Sequence, residues 1–273
     1  MNMKKKPIDY ILLYIPVVLV AILFSFPLLW ILMSSFKTQP DIIASPPVWA
    51  FKPTLDNYIS VFTENEFGRF LFNSSVIAIV STLLSLIMGL PAAYSISRYK
   101  QKRVGVFILM ARLIPGISFL IPWYILFSKI KMTDTFTTLI ASHLMIGLPL
   151  VVWIMVSFID VLPIELEEAA RVDGCTVQET FVRIILPLAK PGIMTCSTLT
   201  FMYSWNNFMF SLALSADRTK TLPLAIYNFV SYAEISWGRV MAASVIIIAP
   251  AIIITMIFQK YVVKGLTMGA VKG

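Results

Sequence analysis

Residues 163–187 read Pro-Ile-Glu-Leu-Glu-Glu-Ala-Ala-Arg-Val-Asp-Gly-Cys-Thr-Val-Gln-Glu-Thr-Phe-Val-Arg-Ile-Ile-Leu-Pro, the longest charged interval in a chain that is otherwise mostly apolar. Pro163 suits a first helical turn, where its missing N–H costs nothing, and Glu165, Glu167 and Glu168 put negative charge at the positive end of the helix dipole. Ala169 and Ala170 extend the helix cheaply. Gly174, the residue type that accepts a left-handed backbone, is expected to stop it after roughly two to three turns. Thr176-Val177-Gln178-Glu179 has capping-box spacing, so a second helix starts at once, and Pro187 is expected to close that helix near its far end. The stretch predicts helix, sharp turn, helix.

Working outward, the chain is 58% hydrophobic and only 13% charged, which places it among multi-span membrane proteins rather than soluble domains. A signal peptide does not account for this, because the apolar content recurs to the C-terminus. The net charge of +8 falls in short basic clusters between apolar runs, a topology signal and not a nucleic-acid surface.

The periodicity and flanking charges predict six membrane spans over 10–33, 70–97, 104–127, 136–159, 188–214 and 240–263. Lys4, Lys5 and Lys6 before the first span, and Arg98, Lys100, Lys102 and Arg103 after the second, belong inside, so both termini are expected in the cytoplasm. Lys129 and Lys131 oppose the rule but are outnumbered. Between the first two spans, Pro40, Pro46, Pro47 and Pro53 predict an extended linker with one short surface helix. Arg112, Pro115-Gly116 and Pro122 predict a kinked or interrupted third span, with Arg112 snorkelling near its inner end. Cys175 and Cys196 suggest neither a disulfide framework nor a metal site, and His143 reads as a packed membrane histidine.

At residues 168–187 the chain resembles a known family. Glu168-Ala169-Ala170, three residues, Gly174, nine residues, Ile184, one residue and Leu186-Pro187 match the EAA loop of binding-protein-dependent ABC importer permeases. The plainer reading is an amphipathic connector between two spans. The resemblance implies an all-α, MetI-like permease fold forming a single transmembrane domain over 1–273. It gives Glu168, Ala169, Ala170, Asp173, Gly174, Ile184, Leu186 and Pro187 the role of coupling to an ATPase subunit. Leu55-Asp56-Asn57-Tyr58 with Phe62, and the tail 264–273, resemble the sugar branch and its shorter maltose-type partner. In that branch the tail, here Thr267, Met268 and Gly269, reaches the ATPase dimer; a frayed terminus is the alternative.

Two readings stand for the fifth span. Tyr203, Trp205, Asn206, Asn207 and Phe208 set two amides among three aromatics at membrane depth, a mixture that suits sugar recognition. The same residues could join helices and anchor at the interface. The following loop, with Thr219-Lys220-Thr221-Leu222-Pro223 and the aromatics Tyr227, Phe229 and Tyr232, corresponds in the resembling family to a scoop that enters an external binding protein.

One histidine and no phosphate-cradling Gly-rich run argue against an enzyme, so this chain is expected to bind no cofactor itself, with ATP and Mg2+ used by a partner ATPase. No acidic residue falls inside an expected span, which disfavours an ion-coupled secondary transporter. The resemblance implies a permease subunit of a carbohydrate importer, moving an oligosaccharide across the cytoplasmic membrane of a prokaryote. Its partners would be a second related permease chain, two ATPase subunits, an external solute-binding protein and lipid. Glycerol phosphate or another polar solute is the alternative cargo.

Overall fold

The computed structural model describes residues 7–64, 66–229 and 235–268, with side chains throughout except at 7–13, 64, 227, 228 and 261–268. Its helices, in order, are α1 (Pro7–Ser34), α2 (Gln39–Ile43), α3 (Asp56–Glu64), α4 (Phe67–Arg98), α5 (Lys102–Leu113), α6 (Leu120–Lys129) and α7 (Phe136–Asp160). There follow α8 (Glu165–Val172), α9 (Val177–Thr180), α10 (Leu186–Leu188), α11 (Lys190–Trp205), α12 (Met209–Leu214), α13 (Leu222–Ala225) and α14 (Trp237–Met268). Among the described residues, four segments are each long and apolar enough to cross a membrane: Tyr14–Ser34, Phe67–Arg98, Phe136–Asp160 and Trp237–Lys260. Two broken pairs, Lys102–Leu113 with Gly116–Lys129 and Val177–Leu188 with Lys190–Trp205, bend by 89° and 77° and bring the possible total to six.

The chain divides into two compact units, residues 1–67 with 226–248 and residues 68–225 with 249–273. In the first unit the described side chains of α1 are exposed over most of its length although the helix is apolar on every side, an exposure that a membrane span satisfies with lipid. The segment after α1 corrects the expected linker. Pro40 begins α2 instead of breaking a helix, because a first-turn position needs no N–H, and α3 makes a second short helix. Lys37 holds this segment together. It is 1% exposed, donates to the Val48 carbonyl at 2.6 Å, and sits over the rings of Trp30 and Phe51 at 4.8 and 5.0 Å. Asn57 adds bonds to the carbonyls of Ser35 and Lys37 at 2.9 and 2.8 Å.

In the second unit α7 packs along α5 and α11. Small residues set the spacing. A β-carbon at Gly147 would lie 2.7 Å from Ser85 Oγ and 2.8 Å from Thr200, and one at Gly192 would lie 2.6 Å from the Phe158 ring. On the side of α4 and α7 that meets residues 181–196, the core is Ala93, Tyr94, Met155, Phe158, Ile185 and Cys196.

The start of the loop after α12 is packed against α4 and the α6–α7 turn. Thr219, Thr221 and Leu222 are buried, Asn73 of α4 donates to the carbonyls of Arg218 and Lys220, and Ser74 Oγ accepts from the Leu222 amide. Asp134, between α6 and α7, accepts from the amides of Ala216, Arg218 and Thr219 at 2.9–3.0 Å and from the Thr219 hydroxyl at 2.8 Å. A backbone loop buried without strand partners needs such acceptors and donors, and side chains supply them here. Tyr232 lies outside the described residues.

Candidate functional site

The expected helix, turn and helix are all present between α7 and α11. α8 carries Glu165, Glu167 and Glu168 in its first turn and ends in a Schellman motif. The Gly174 amide bonds the Arg171 carbonyl at 3.0 Å, the Cys175 amide bonds the Ala170 carbonyl at 2.9 Å, and Gly174 has φ +87°. Nothing lies within 4 Å of the β-carbon position at Gly174, so the backbone conformation alone demands glycine there. Thr176 then caps α9 in a reciprocal box with Glu179, with bonds of 3.2 and 2.9 Å. The Thr176 amide and hydroxyl, and the Arg183 guanidinium at 3.5 Å, hold the Glu179 carboxyl below its ordinary pKa.

Two expectations at its edges need correction. Pro163 lies before α8, with Ile164 at the cap position. Pro187 does not close the second helix. Residues Phe181–Ile185 form a π turn, in which the Leu186 amide reaches back five residues to Phe181, and the chain continues through α10 before bending into α11. Proline in an α-helix loses a bond and presses on the carbonyl four residues earlier; the wider π turn absorbs that distortion upstream.

The residue that seats this unit on α4 is Glu167, which the motif does not name. It is 1% exposed and accepts from Tyr94 Oη at 2.6 Å and Arg98 Nε at 2.5 Å, while Arg98 Nη2 donates to the Leu162 carbonyl. Ala170, one turn on, is also buried. Its spacing from Glu167 puts both on one face of the helix. Glu168, Ala169, Asp173 and Gly174 are exposed, Ile184 and Leu186 half-buried, and Pro187 exposed. The outward face of α8 also shows Leu166 and Val172, the latter 87% exposed. Apolar side chains spaced along a short exposed helix suit coverage by another protein.

The other candidate site is a cleft of about 950 Å³ in the second unit. Tyr203, Asn206, Asn207 and Phe208 line it, together with Arg112 and the helix interruption at Ile114–Gly116. Both breaks have local causes. Ile114 takes an extended ψ of 121° ahead of Pro115, as a residue before proline prefers, and Asn206 leaves the helical region with ψ 4°. Asn207 spans the second break, its Oδ1 accepting from the Phe210 amide at 3.0 Å and its Nδ2 donating to Tyr203 Oη at 3.2 Å. Trp205 is placed elsewhere: it is buried and stacks on Phe201 at 5.6 Å. Behind the cleft, His143 Nδ1 and Ser204 Oγ are 2.6 Å apart, and Ser81 Oγ donates to Ser204, so α4, α7 and α11 are joined by one polar chain. Non-helical backbone at membrane depth is tolerated where it lines a cavity, the position of both breaks.

Of the tail residues, Thr267 and Met268 end α14 and their side chains lie outside the described set, as does Gly269 entirely. No group of three or more His, Cys, Asp or Glu able to hold a metal occurs among the described residues.

Residues 81–268 match the family model described as binding-protein-dependent transport system inner membrane component. The trehalose/maltose transport system permease protein of Thermococcus litoralis is 37% identical, covering 99% of this chain and 100% of its own. The sulfoquinovosyl glycerol transport system permease protein of Agrobacterium fabrum is 33% identical, covering 91% and 89%. In structure, a subunit of a bacterial ABC transporter that imports the acidic polysaccharide alginate superposes with TM-score 0.79 at 21% identity, over 95% of this chain and 99% of that one.

Proposed function

The chain belongs to the binding-protein-dependent transport system inner membrane component family, and from that premise we propose that it is a permease subunit of an ATP-driven importer of carbohydrate, probed at its cargo by the cleft and at its energy source by α8. As a transport permease it is not itself a catalyst. The observation that carries the reading is the exposed helix α8 followed by the Gly174 turn and the capped second helix, set between two membrane-spanning segments. A signal from outside can reach a cytoplasmic ATPase only through a stiff element that both ends bias, and a short helix locked to α4 through Glu167 is such an element.

In this reading Glu168, Ala169, Asp173 and Gly174 meet the ATPase directly, Ala170 packs the helix inward, and Ile184, Leu186 and Pro187 shape the return limb. Thr267, Met268 and Gly269 would extend the same contact. ATP and Mg2+ belong to the ATPase subunits, and a second permease chain and an external binding protein complete the assembly, in the cytoplasmic membrane of a prokaryote with both termini inside. Tyr203, Asn206, Asn207 and Phe208 offer the cargo aromatic faces and amides. Relatives named for trehalose, maltose, diacetylchitobiose and sulfoquinovosyl glycerol support a saccharide cargo and include both neutral and anionic ones.

The test is reconstitution of the complete importer in vesicles. Uptake of a labelled saccharide, carried by the cognate binding protein, is expected to require ATP and to survive an ionophore. Uptake that continues without ATP, or that collapses with the ion gradient, rejects the reading.

A further inference from the structure

Arg112 occupies a place that snorkelling does not explain. It lies in the last turn of α5, one residue before Leu113 ends the helix and beside the break at Ile114–Gly116, about 15 Å along the axis from Lys102. Its guanidinium rests on the Trp153 ring at 5.0 Å, and Trp153 is seven residues, about 10 Å, from the end of α7 at Asp160. The charged head thus stacks on an aromatic face and stays exposed to the cleft.

The same side chain lines the cleft that Tyr203, Asn206 and Asn207 line, and no Asp, Glu or other charged residue lines it with them. Among the described residues Arg112 makes no ion pair. A cation at membrane depth calls for a counter-charge, and an ionisable group there marks a pathway more often than packing. The cleft supplies the neutral part of a sugar site and a single positive charge that no described residue neutralises.

Resting on the carbohydrate-importer reading above, we infer that Arg112 is the charge-selecting residue of the cleft and that the cargo is an anionic saccharide, one bearing a carboxylate, sulfonate or phosphate. The planar guanidinium can donate two parallel hydrogen bonds to such an oxyanion while Trp153 holds its other face. Asn206 and Tyr203 are placed for ring hydroxyls and the apolar ring face. A neutral sugar could accept hydrogen bonds from Arg112 but would leave its charge uncompensated in the membrane.

The experiment uses the complete importer, both permease chains with their ATPases, in lipid nanodiscs without binding protein. Equilibrium dialysis measures binding of two labelled trisaccharides of equal length, one of mannuronate and one of the maltose series. The native complex is expected to bind the mannuronate probe roughly tenfold tighter or more. Arg112→Gln should erase that preference with the maltose-series affinity little changed, and Arg112→Lys should keep only part of it, since charge survives while the planar fork and its stacking are lost. Equal binding of the two probes by the native complex overturns the inference and leaves the carbohydrate reading standing. Failure of both probes to bind overturns both. A mannuronate preference that persists in Arg112→Gln places the selecting charge elsewhere and also overturns it. Because the native preference is measured first, a variant that fails to assemble does not rescue the inference from an adverse result.

Discussion

Arg98 and Glu167 join the C-terminal end of α4 to α8 through a 2.5 Å contact in which the two side chains are only 11% and 2% exposed. Tyr94 completes the joint from one turn earlier on α4, and its ring packs on Phe181 at 5.1 Å, so the same residue also touches the return limb. Removing one partner of a buried pair leaves the other charged and unsatisfied, at about 3–5 kcal/mol. Glu167→Ala is therefore expected to loosen α8 and to lower ATPase co-purification, with the spans still inserted. Hydrogen exchange over 163–176 should rise sharply; unchanged protection there would show that the joint does not hold the helix.

Gly174 separates backbone strain from crowding, because its β-carbon position is empty. Gly174→Asn, a residue that enters the left-handed region readily, should retain most ATPase docking, whereas Gly174→Val should strain the turn by roughly 1–2 kcal/mol and uncouple hydrolysis from uptake. Equal behaviour of the two variants in ATPase stimulation would mean that contact, and not turn geometry, is what matters at this position.

The cleft residues are expected to divide. Asn206→Ala should reduce uptake while the complex remains as stable as before, since its side chain bonds only the Met202 carbonyl within its own helix. Trp205→Ala should instead destabilise the chain by about 3–5 kcal/mol through loss of buried packing. Thermal unfolding of the detergent-solubilised complex distinguishes them. A stable Trp205→Ala complex with lost transport would put Trp205 on the cargo path after all.

Asp134 carries a pH dependence. Burial alone would raise its pKa, but the amides of Ala216, Arg218 and Thr219 and the Thr219 hydroxyl outweigh this and hold it below the ordinary carboxylate value. A folded pKa below the unfolded one gives stability that is complete above about pH 4 and is lost as pH falls through the lowered folded value. Exchange protection of the Ala216 and Thr219 amides should therefore persist from neutrality to about pH 4 and fall below it. Asp134→Ala should abolish that protection at every pH, and Asp134→Asn should keep part of it, since one oxygen already accepts three of the four bonds.

What could be read from the sequence was what depends on near neighbours. The Gly174 stop and the Thr176–Glu179 cap close within a few residues of their own positions, so spacing alone reveals them. The long apolar runs disclose the spans for the same reason. Glu167 could not be chosen over Glu168 without knowing that Tyr94 and Arg98 wait on α4, more than 60 residues away. The partner of Arg112 was equally hidden, because its contact with Trp153 joins two helices 41 residues apart in sequence. Pro187 misled for a different reason: its cost is met upstream, by a π turn that no local signal announced.

That π turn also bears on rotational phase. An α-helix advances about 100° per residue, and a π turn accommodates one residue more than the helix it interrupts. Ile185, buried among Ala93, Tyr94 and Phe158, marks the azimuth at which the return limb enters the core. Because the extra residue is taken up within the turn, deleting one residue such as Val182 would let Phe181–Ile185 relax to ordinary helix with the segments on either side keeping nearly their mutual direction, whereas the same deletion in an uninterrupted α-helix would swing them by about 100°. The π turn works as a slack link: it lets the residue count between α8 and α11 change by one without re-aiming either.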